Sequence, residues 1–261
     1  MYLLAFKLIL TPILIAAASF AGRRWGPGVS GWLVALPLVS GPVSFIFAVQ
    51  YSAPFASHAA IGTMAGMISV SVYCYAYSRL APRRSWAVCV LAAAFSFFVV
   101  TSILNLLTLS LIPTFVAAVL ALALARYLIP EPAMVIAAVT PPRWDIPARM
   151  ITVALFITLL TFAADQLGPQ LSGLLSPFPI LVTILAVFAH IQYGSSASIH
   201  VLRGMLTGLY AFTAFFLIIG SLLTTLPLGI TYLVAVITAL AVNAFLLRFV
   251  RQPPSTEVAE I

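Results

Sequence analysis

Charged residues are scarce in this chain. Only 7 % of the 261 residues are charged, and only five of these are Asp or Glu, whereas 63 % are hydrophobic. Water-soluble globular proteins carry about 25 % charged residues, so the composition excludes that class. Because no Asp or Glu lies in the middle of an apolar run, the sequence also argues against a proton antiporter that depends on a central carboxylate.

Cysteine, metal-ligand and enzyme motifs are equally sparse. The two cysteines, Cys74 and Cys89, lack the spacing of zinc, haem or iron–sulfur ligands, and we predict that they are a reduced, structural pair. The sequence has neither a glycine-rich phosphate loop nor a recognisable Ser/His/Asp set. We therefore expect no enzyme activity, no cofactor and no bound metal.

Long apolar runs, by contrast, fill nearly the whole chain. About 17 to 25 apolar residues let a helix cross a bilayer, and runs of this length are separated only by short loops. We predict an all-α, polytopic membrane bundle with one transmembrane domain at 1–250 and a short polar cytosolic tail at 251–261. The nine predicted spans are 2–21, 31–50, 58–79, 86–103, 110–128, 148–165, 174–192, 198–222 and 227–248.

The arginines lie on one side of this predicted topology. They fall in or beside loops that nine spans would place on the same side: Arg23, Arg24, Arg79, Arg83, Arg84, Arg126, Arg143, Arg149, Arg203, Arg248 and Arg251. The positive-inside rule makes that side cytosolic, so we expect the N-terminus outside and the C-terminus in the cytosol. The net charge of +7 then reflects contact with the lipid bilayer and not with nucleic acid. Tyr73, Tyr75 and Tyr77, near the inner end of the third span, are expected to belong to an interfacial belt.

A segment of the sequence recurs 142 residues later. Residues 20–66 align with 162–208 without a gap, and many identical pairs are of residue types that are uncommon in so apolar a chain. These pairs include Pro37/Pro179, Gln50/Gln192, Tyr51/Tyr193, His58/His200, Gly62/Gly204 and Gly66/Gly208. We infer an internal duplication, with repeat A at about 2–104, a connector span at about 110–128 and repeat B at about 147–248.

The two repeats of four helices are predicted to be inverted relative to each other. Each span of repeat A is followed five membrane crossings later by its equivalent in repeat B, and an odd number of crossings reverses the direction of the chain. The loop at 23–30 carries two arginines, whereas its equivalent at 165–172 carries an Asp and no arginine. Inverted repeats are common in secondary transporters. Channels also use this symmetry, and so do proteins with no transport role.

Proline interrupts the second and the seventh predicted span at equivalent positions, Pro37 and Pro179. A proline inside a helix removes a hydrogen bond, and in lipid the freed carbonyl needs a cavity or a polar partner. The two prolines therefore mark a candidate pathway between the broken spans, with the carbonyls facing a shared cavity. Two kinked packing helices would give the same sequence pattern, and the sequence leaves both interpretations open.

The repeated motif supplies further candidate pathway or gate residues. These are Gln50, Tyr51, Gln192 and Tyr193, which close the broken spans, and His58 and His200, which open the next ones. The paired histidines suit two gates or two structural caps, and we favour capping of a loop or a helix end. His190 has no counterpart, since position 48 is Ala. As a titratable group inside a broken span, it is a candidate proton carrier near the pathway.

Two glycine pairs predict close helix packing. Gly62 and Gly66, like Gly204 and Gly208, are four residues apart and lie on one helical face. Such a ridge of small residues lets two helix backbones approach closely. We favour this packing role over contact with a substrate.

The segment Ser172-Gly-Leu-Leu-Ser-Pro-Phe-Pro179, followed by an apolar span that contains His190, resembles the GlpM-like family of small inner-membrane proteins. Members of that family are about half as long, so the chain looks like two such units fused in opposite orientation. The resemblance implies a bacterial inner membrane and a loose link to exopolysaccharide production, with no activity to carry over.

Two functions are consistent with these features. The first is a transporter-like carrier or channel for a small solute or a lipid-linked intermediate, with its pathway between spans two and seven. The second is a non-transporting membrane partner of an envelope or exopolysaccharide assembly complex. The sequence leaves open whether the chain forms a homo-oligomer.

Overall fold

The computed structural model describes residues 2–132, 142, 144–155, 158 and 178–247, and the side chains from residue 9 onward within these ranges. This part of the chain is all-helical, as the sequence predicts. The helices are α1 (Tyr2–Trp25), α2 (Pro27–Val34), α3 (Ser40–Gln50), α4 (Ala53–Leu80), α5 (Trp86–Leu104), α6 (Leu111–Leu128), α7 (145–155), α8 (Ile180–Tyr193), α9 (Ser195–Leu222) and α10 (Leu228–Leu246).

Five of the described helices, α4, α5, α6, α9 and α10, are long and apolar enough to cross a membrane. They indicate a membrane-embedded protein, because so many apolar helices of this length have no place in a water-soluble domain. The second predicted span is divided into the short helices α2 and α3. The total of nine spans stays a prediction.

Helices α4 and α9 form the centre of the bundle. In their most apolar windows 56 % and 61 % of the residues are buried, against 17 % in α5 and 22 % in both α6 and α10. The outer helices instead expose large apolar side chains four residues apart, such as Leu120 and Leu124 on α6. Contiguous apolar faces of this kind fit a lipid environment.

Several helix bounds coincide at the offset of 142 residues. Helix α4 begins and ends 142 residues before α9, and both have 28 residues. The same offset relates α5 to α10, each of 19 residues. The local sequence therefore sets equal helix lengths at equivalent places in the two halves of the chain.

The two central helices run antiparallel to each other. The hydroxyl of Ser57, in the second turn of α4, donates a hydrogen bond to the carbonyl of Gly220, in the last turn of α9, at 2.8 Å. A Cβ on Gly220 would stand 3.9 Å from the Cβ of Ala60, also near the start of α4. The N-terminal end of one helix thus lies beside the C-terminal end of its counterpart.

One end of the bundle collects the arginines, and we call it the arginine-rich end. Three contacts join helix termini there: Arg23 with Asp145, Tyr77 with His190, and Arg203 with Ile129. The described arginines at this end are Arg23, Arg24, Arg79, Arg83, Arg84, Arg126, Arg149 and Arg203. This distribution agrees with a one-sided arrangement of positive charge in the loops.

Candidate functional site

The first helix break lies where Pro37 predicts it. Helix α2 ends at Val34 and α3 begins at Ser40. Pro37 has no N–H and cannot donate to the Leu33 carbonyl, four residues earlier, as a helical residue would. The Leu36 N–H donates to that carbonyl instead, at 3.3 Å. The helical ladder resumes when the Gly41 N–H donates to the Pro37 carbonyl at 2.8 Å. The carbonyl that Pro37 deprives of a donor, that of Leu33, is therefore satisfied locally and does not need a cavity.

The second break is described only from Phe178 onward. Pro179 precedes α8, and its carbonyl accepts both the Thr183 N–H at 3.0 Å and the Thr183 hydroxyl at 2.7 Å. This is the carbonyl of Pro179 itself, whereas the carbonyl that Pro179 deprives of a donor belongs to Leu175, outside the described residues. A cavity shared by the two breaks stays a prediction, because 159–177 lie outside the described residues.

Helix α2 crosses α9 at backbone contact. A Cβ on Gly204 would stand 1.8 Å from the carbonyl oxygen of Gly28, and a Cβ on Gly31 would stand 1.8 Å from that of Val201. A Cβ on Gly208 would come within 2.7 Å of the Trp32 carbonyl oxygen. Gly204 and Gly208 are therefore packing residues in this structure, and Gly31 is a third that the sequence analysis did not single out.

The equivalent glycines of α4 have different surroundings. Gly66 is buried, whereas Gly62 is exposed, and a Cβ there would meet no atom of the described residues within 4 Å. The segment equivalent to α2, at 169–176, lies outside the described residues. The packing role of Gly62 and Gly66 stays a prediction.

Polar side chains form a line between α4 and α8, which we call the tyrosine line: Tyr73, Tyr77, Thr183 and His190. The Tyr73 and Thr183 hydroxyl oxygens are 2.8 Å apart. Since the Thr183 hydroxyl donates to Pro179, Tyr73 is the donor to Thr183. The Tyr77 hydroxyl lies 3.2 Å from Nδ1 of His190. Tyr73 and Tyr77 have no exposed surface, so the prediction that they belong to an interfacial belt is wrong.

Aromatic rings surround the residue before Pro179. The Phe178 ring centroid lies 5.9 Å from Tyr73, 5.5 Å from Phe97 and 5.7 Å from Phe98. These edge and offset contacts are favourable beyond their buried area. They hold the start of α8 against α4 and α5.

The tyrosine line and the aromatic cluster have no equivalent in the other half of the chain. At an offset of 142, the tyrosines correspond to Phe215 and Ile219, and Thr183 and His190 correspond to Gly41 and Ala48. A Cβ on Gly41 would stand 3.3 Å from the Phe215 ring, so α3 and α9 pack closely at these equivalent positions. The counterpart region keeps a different polar contact, between the hydroxyls of Ser44 on α3 and Tyr232 on α10, at 2.9 Å.

A cluster of ionic contacts surrounds Asp145, whose side chain has no exposed surface. Arg23 Nη2 donates to Oδ2 at 2.7 Å, Arg149 Nε donates to Oδ1 at 2.9 Å, and Gln192 Nε2 also donates to Oδ1. We call these four residues the Asp145 cluster. Burial by itself would raise the pKa of the Asp145 carboxyl, but the hydrogen bonds from Arg23, Gln192 and Arg149 lower that pKa below its usual value.

Arg149 is the most enclosed cation of the cluster. Its guanidinium lies 5.0 Å from the Phe188 ring centroid, and Nη1 is 3.5 Å from the Ser19 hydroxyl. With 7 % of its surface exposed, it depends on Asp145 and on the face of the ring for its stabilisation. In the sequence, the only local sign of this site is an Asp and an Arg four residues apart at a predicted helix start, and we did not predict a site from it.

A second cationic site, formed by Arg203 and His200 on α9, holds the segment that follows α6. Arg203 donates to the Ile129 carbonyl and to Glu131 Oε2, the latter at 2.8 Å, and His200 Nε2 donates to the Pro132 carbonyl at 3.1 Å. A cation that binds the last carbonyls of a helix also interacts favourably with its dipole. His200 therefore anchors a loop in this structure.

The remaining predicted site residues are dispersed. Gln50, Tyr51 and His58 are exposed, and the N-terminus of α4 is capped by the Ser52 hydroxyl, which accepts the Phe55 N–H at 3.3 Å. His58 therefore does not cap that end. Tyr193 is half-buried beside the Asp145 cluster. His190 lies in the last turn of α8, at the arginine-rich end, and its closeness to a pathway stays a prediction.

A cavity of about 410 Å³ lies between α9 and α10, lined by Tyr210, Ala241, Val242, Phe245 and Leu246. Its walls are apolar. In the described part of the chain no three His, Cys, Asp or Glu side chains are grouped as metal ligands. No family model, curated protein or solved structure matches this chain.

Proposed function

We propose that this protein is a transporter-like carrier or channel for a small solute or a lipid-linked intermediate. It consists of two inverted repeats of four helices joined by the connector α6, with its pathway between the broken span α2–α3 and α8. It resides in a bacterial inner membrane, the N-terminus outside and the arginine-rich end in the cytosol.

The observation that carries this proposal is the antiparallel packing of α4 and α9. These helices are equivalent at the offset of 142 and have identical lengths, and the Ser57–Gly220 contact joins opposite ends of the pair. Equivalent helices that run in opposite directions are what an axis in the membrane plane produces. Inverted repeats of this kind are typical of secondary transporters, which use two related arrangements open to opposite sides.

The packing of the broken span supports a pathway at this position. Gly208 lies near the middle of the 28-residue helix α9 and would meet Ala35, at the start of the break, if it carried a Cβ. The break is thus close to the depth at which transporters bind their substrates. Helix α2 of repeat A also packs on helix α9 of repeat B. A change in the relative position of the two repeats would therefore move the break relative to α9.

The tyrosine line supports a polar function on the α8 side. Polar and ionisable groups inside a membrane are costly and are usually retained for function. Here Tyr73 and Tyr77 are hydrogen-bonded to Thr183 and His190, whereas none of these four residues has a hydrogen-bonding side chain at the equivalent position, which is Phe215, Ile219, Gly41 or Ala48. A purely structural duplication would have no need for that difference.

The test is thiol accessibility in the full-length protein. Single cysteines are introduced along 34–44 and 180–186 and at lipid-facing control positions Leu120 and Leu233, then treated with a membrane-impermeant thiol reagent in sealed vesicles. A pathway predicts labelling that continues inward past the span ends, with none at the controls. Labelling confined to the span ends would contradict the pathway and favour the assembly-partner function.

A solute panel and a lipid-flip assay in proteoliposomes then address the substrate class. Uptake of one class above protein-free vesicles supports transport. The GlpM-like resemblance stays a prediction, and its link to exopolysaccharide makes lipid-linked sugars the first class to include.

A further inference from the structure

We propose that the Asp145 cluster is the cytosolic gate of this pathway, and that it opens by releasing Arg23 and Gln192 while Asp145 and Arg149 stay paired. This inference rests on the proposed function, since a gate requires a pathway. It adds which bonds must break and which must persist.

The cluster joins the two repeats at the end where a cytosolic mouth would open. Arg23 belongs to the last turn of α1, in repeat A, whereas Asp145 and Gln192 belong to α7 and α8, in repeat B. Of the three ion pairs among the described residues, only Arg23–Asp145 connects repeat A to repeat B. Separation of the repeats at this end therefore has to break it.

Exposure distinguishes the Arg23 bond, which can break, from the Arg149 pair, which persists. The Arg23 side chain is 32 % exposed, so water can replace Asp145 as its partner, whereas the Arg149 side chain is 8 % exposed. Arg149 and Asp145 are four residues apart on α7 and move together with that helix. An uncompensated buried charge would be strongly unfavourable, so this intrahelical pair keeps both charges satisfied when Arg23 leaves.

Both residues that leave are followed by a single-glycine joint. Gly26 alone separates α1 from α2, with φ of 97°, and Gly194 alone separates α8 from α9, with φ of 84°. Only glycine adopts this region readily, and hinge motion is absorbed by a few residues at the ends of helices. The joints lie three residues after Arg23 and two after Gln192.

The same dipeptide has different environments at the two ends of the molecule. Gln192 is engaged with Asp145 and Tyr193 is half-buried, whereas Gln50 and Tyr51 are exposed. The position 142 residues before Asp145 is Leu3, so an identical carboxylate-centred cluster cannot form around Gln50. In the described structure, the Asp145 cluster therefore connects repeat A to repeat B at the arginine-rich end.

The experiment measures how fast a cysteine beyond the gate is labelled from the cytosolic side. Val187→Cys lies on α8 between Thr183 and His190, on their helical face. The full-length protein is placed in inside-out vesicles with an impermeant thiol reagent, and protein without Val187→Cys gives the background from Cys74 and Cys89, which are buried.

Two matched pairs of variants then test the gate. Arg23→Gln and Gln192→Ala should each raise the labelling rate severalfold. Arg24→Gln removes the same charge one residue away, and Ile191→Ala shortens the exposed side chain next to Gln192; both should leave the rate unchanged. A thermal unfolding midpoint for each variant ensures that only folded protein is compared.

The outcomes separate the gate from the pathway. Equal labelling in Arg23→Gln and Arg24→Gln, at a rate above background, would overturn the gate and leave the pathway standing. Background labelling of Val187→Cys in every variant would overturn the pathway, and with it the gate.

Discussion

The carbonyl oxygen of Gly28 occupies the place next to Gly204 where a side chain would begin. A Cβ on Gly204 would stand 1.8 Å from that oxygen, far inside van der Waals contact. Helix α2 and helix α9 therefore touch through their backbones, and the position of the broken span depends on the absence of one methyl group.

Gly204→Ala should consequently destabilise the protein by about 3 kcal/mol or more, because a backbone atom has to move. Gly62→Ala is the matched control, since that residue is exposed on α4 and alanine favours a helix by up to about 1 kcal/mol over glycine. Thermal unfolding in detergent measures both. An equal loss in the control would indicate that a segment of repeat B packs on Gly62 as α2 packs on Gly204.

The tyrosine line should matter more for transport than for folding. Tyr77→Phe removes the hydroxyl beside His190 and should cost only about 1 kcal/mol of stability, while lowering flux of whichever solute the panel identifies. Tyr232→Phe removes a comparable hydrogen bond to Ser44, 2.9 Å long, at the other end of the bundle. A parallel decrease in flux in both variants would count against a special role for α4 and α8.

The Asp145 carboxylate should make the folded protein less stable as the pH falls below about 4. Its pKa is lower in the folded protein than in the unfolded chain, so its contribution is complete above the unfolded pKa of about 3.9. The contribution is lost as pH falls through the lower, folded pKa. Unfolding midpoints from pH 7 to pH 3 should decrease below about pH 4 in the native protein, and this component should be absent in Asp145→Asn. Identical pH profiles would contradict the assignment.

Asp145→Asn should also be costly at neutral pH. It leaves Arg149 enclosed without its carboxylate, and breaking a buried ion pair from one side costs about 3–5 kcal/mol. Arg23→Gln should cost much less, because Arg23 is partly exposed and exposed pairs contribute about 0–1 kcal/mol. Denaturation in a single detergent compares the two, and a reversed order would be incompatible with the described burial.

Arg203 should hold the segment after α6. Arg203→Lys keeps the charge but lacks the planar, branched donor group that bonds the Ile129 carbonyl and Glu131 together. We expect faster proteolysis near 129–132 in this variant, with Arg79→Lys, an exposed residue of α4, unchanged. Equal proteolysis in the two would show that the segment does not depend on Arg203.

Topology can be tested with reporters. A fusion after Arg251 should report a cytosolic C-terminus, and a tag before Tyr2 should be accessible from outside, because the positive-inside rule acts on the loops near the span ends. A periplasmic signal from the C-terminal fusion would refute the orientation and, with it, the assignment of the gate to the cytosolic side.

The sequence predicted the helical class and several helix positions because those depend on local chemistry. Apolar runs of membrane length predict α4, α5, α6, α9 and α10, and Pro37 predicts the division of the second span, since a proline cannot continue the hydrogen-bond ladder. The glycine ridge on α9 was recognisable from spacing alone.

Tertiary structure decided which residues meet. Pro37 does not leave the Leu33 carbonyl open, Tyr73 and Tyr77 are buried and not interfacial, and the repeated pairs Gln50/Gln192 and His58/His200 lie in unlike surroundings. Asp145 is separated from Arg23 by 122 residues, and no local pattern encodes a contact across that distance. Periodicity and helix-breaking residues act within one or two turns, whereas partners across the bundle are chosen only when the helices pack.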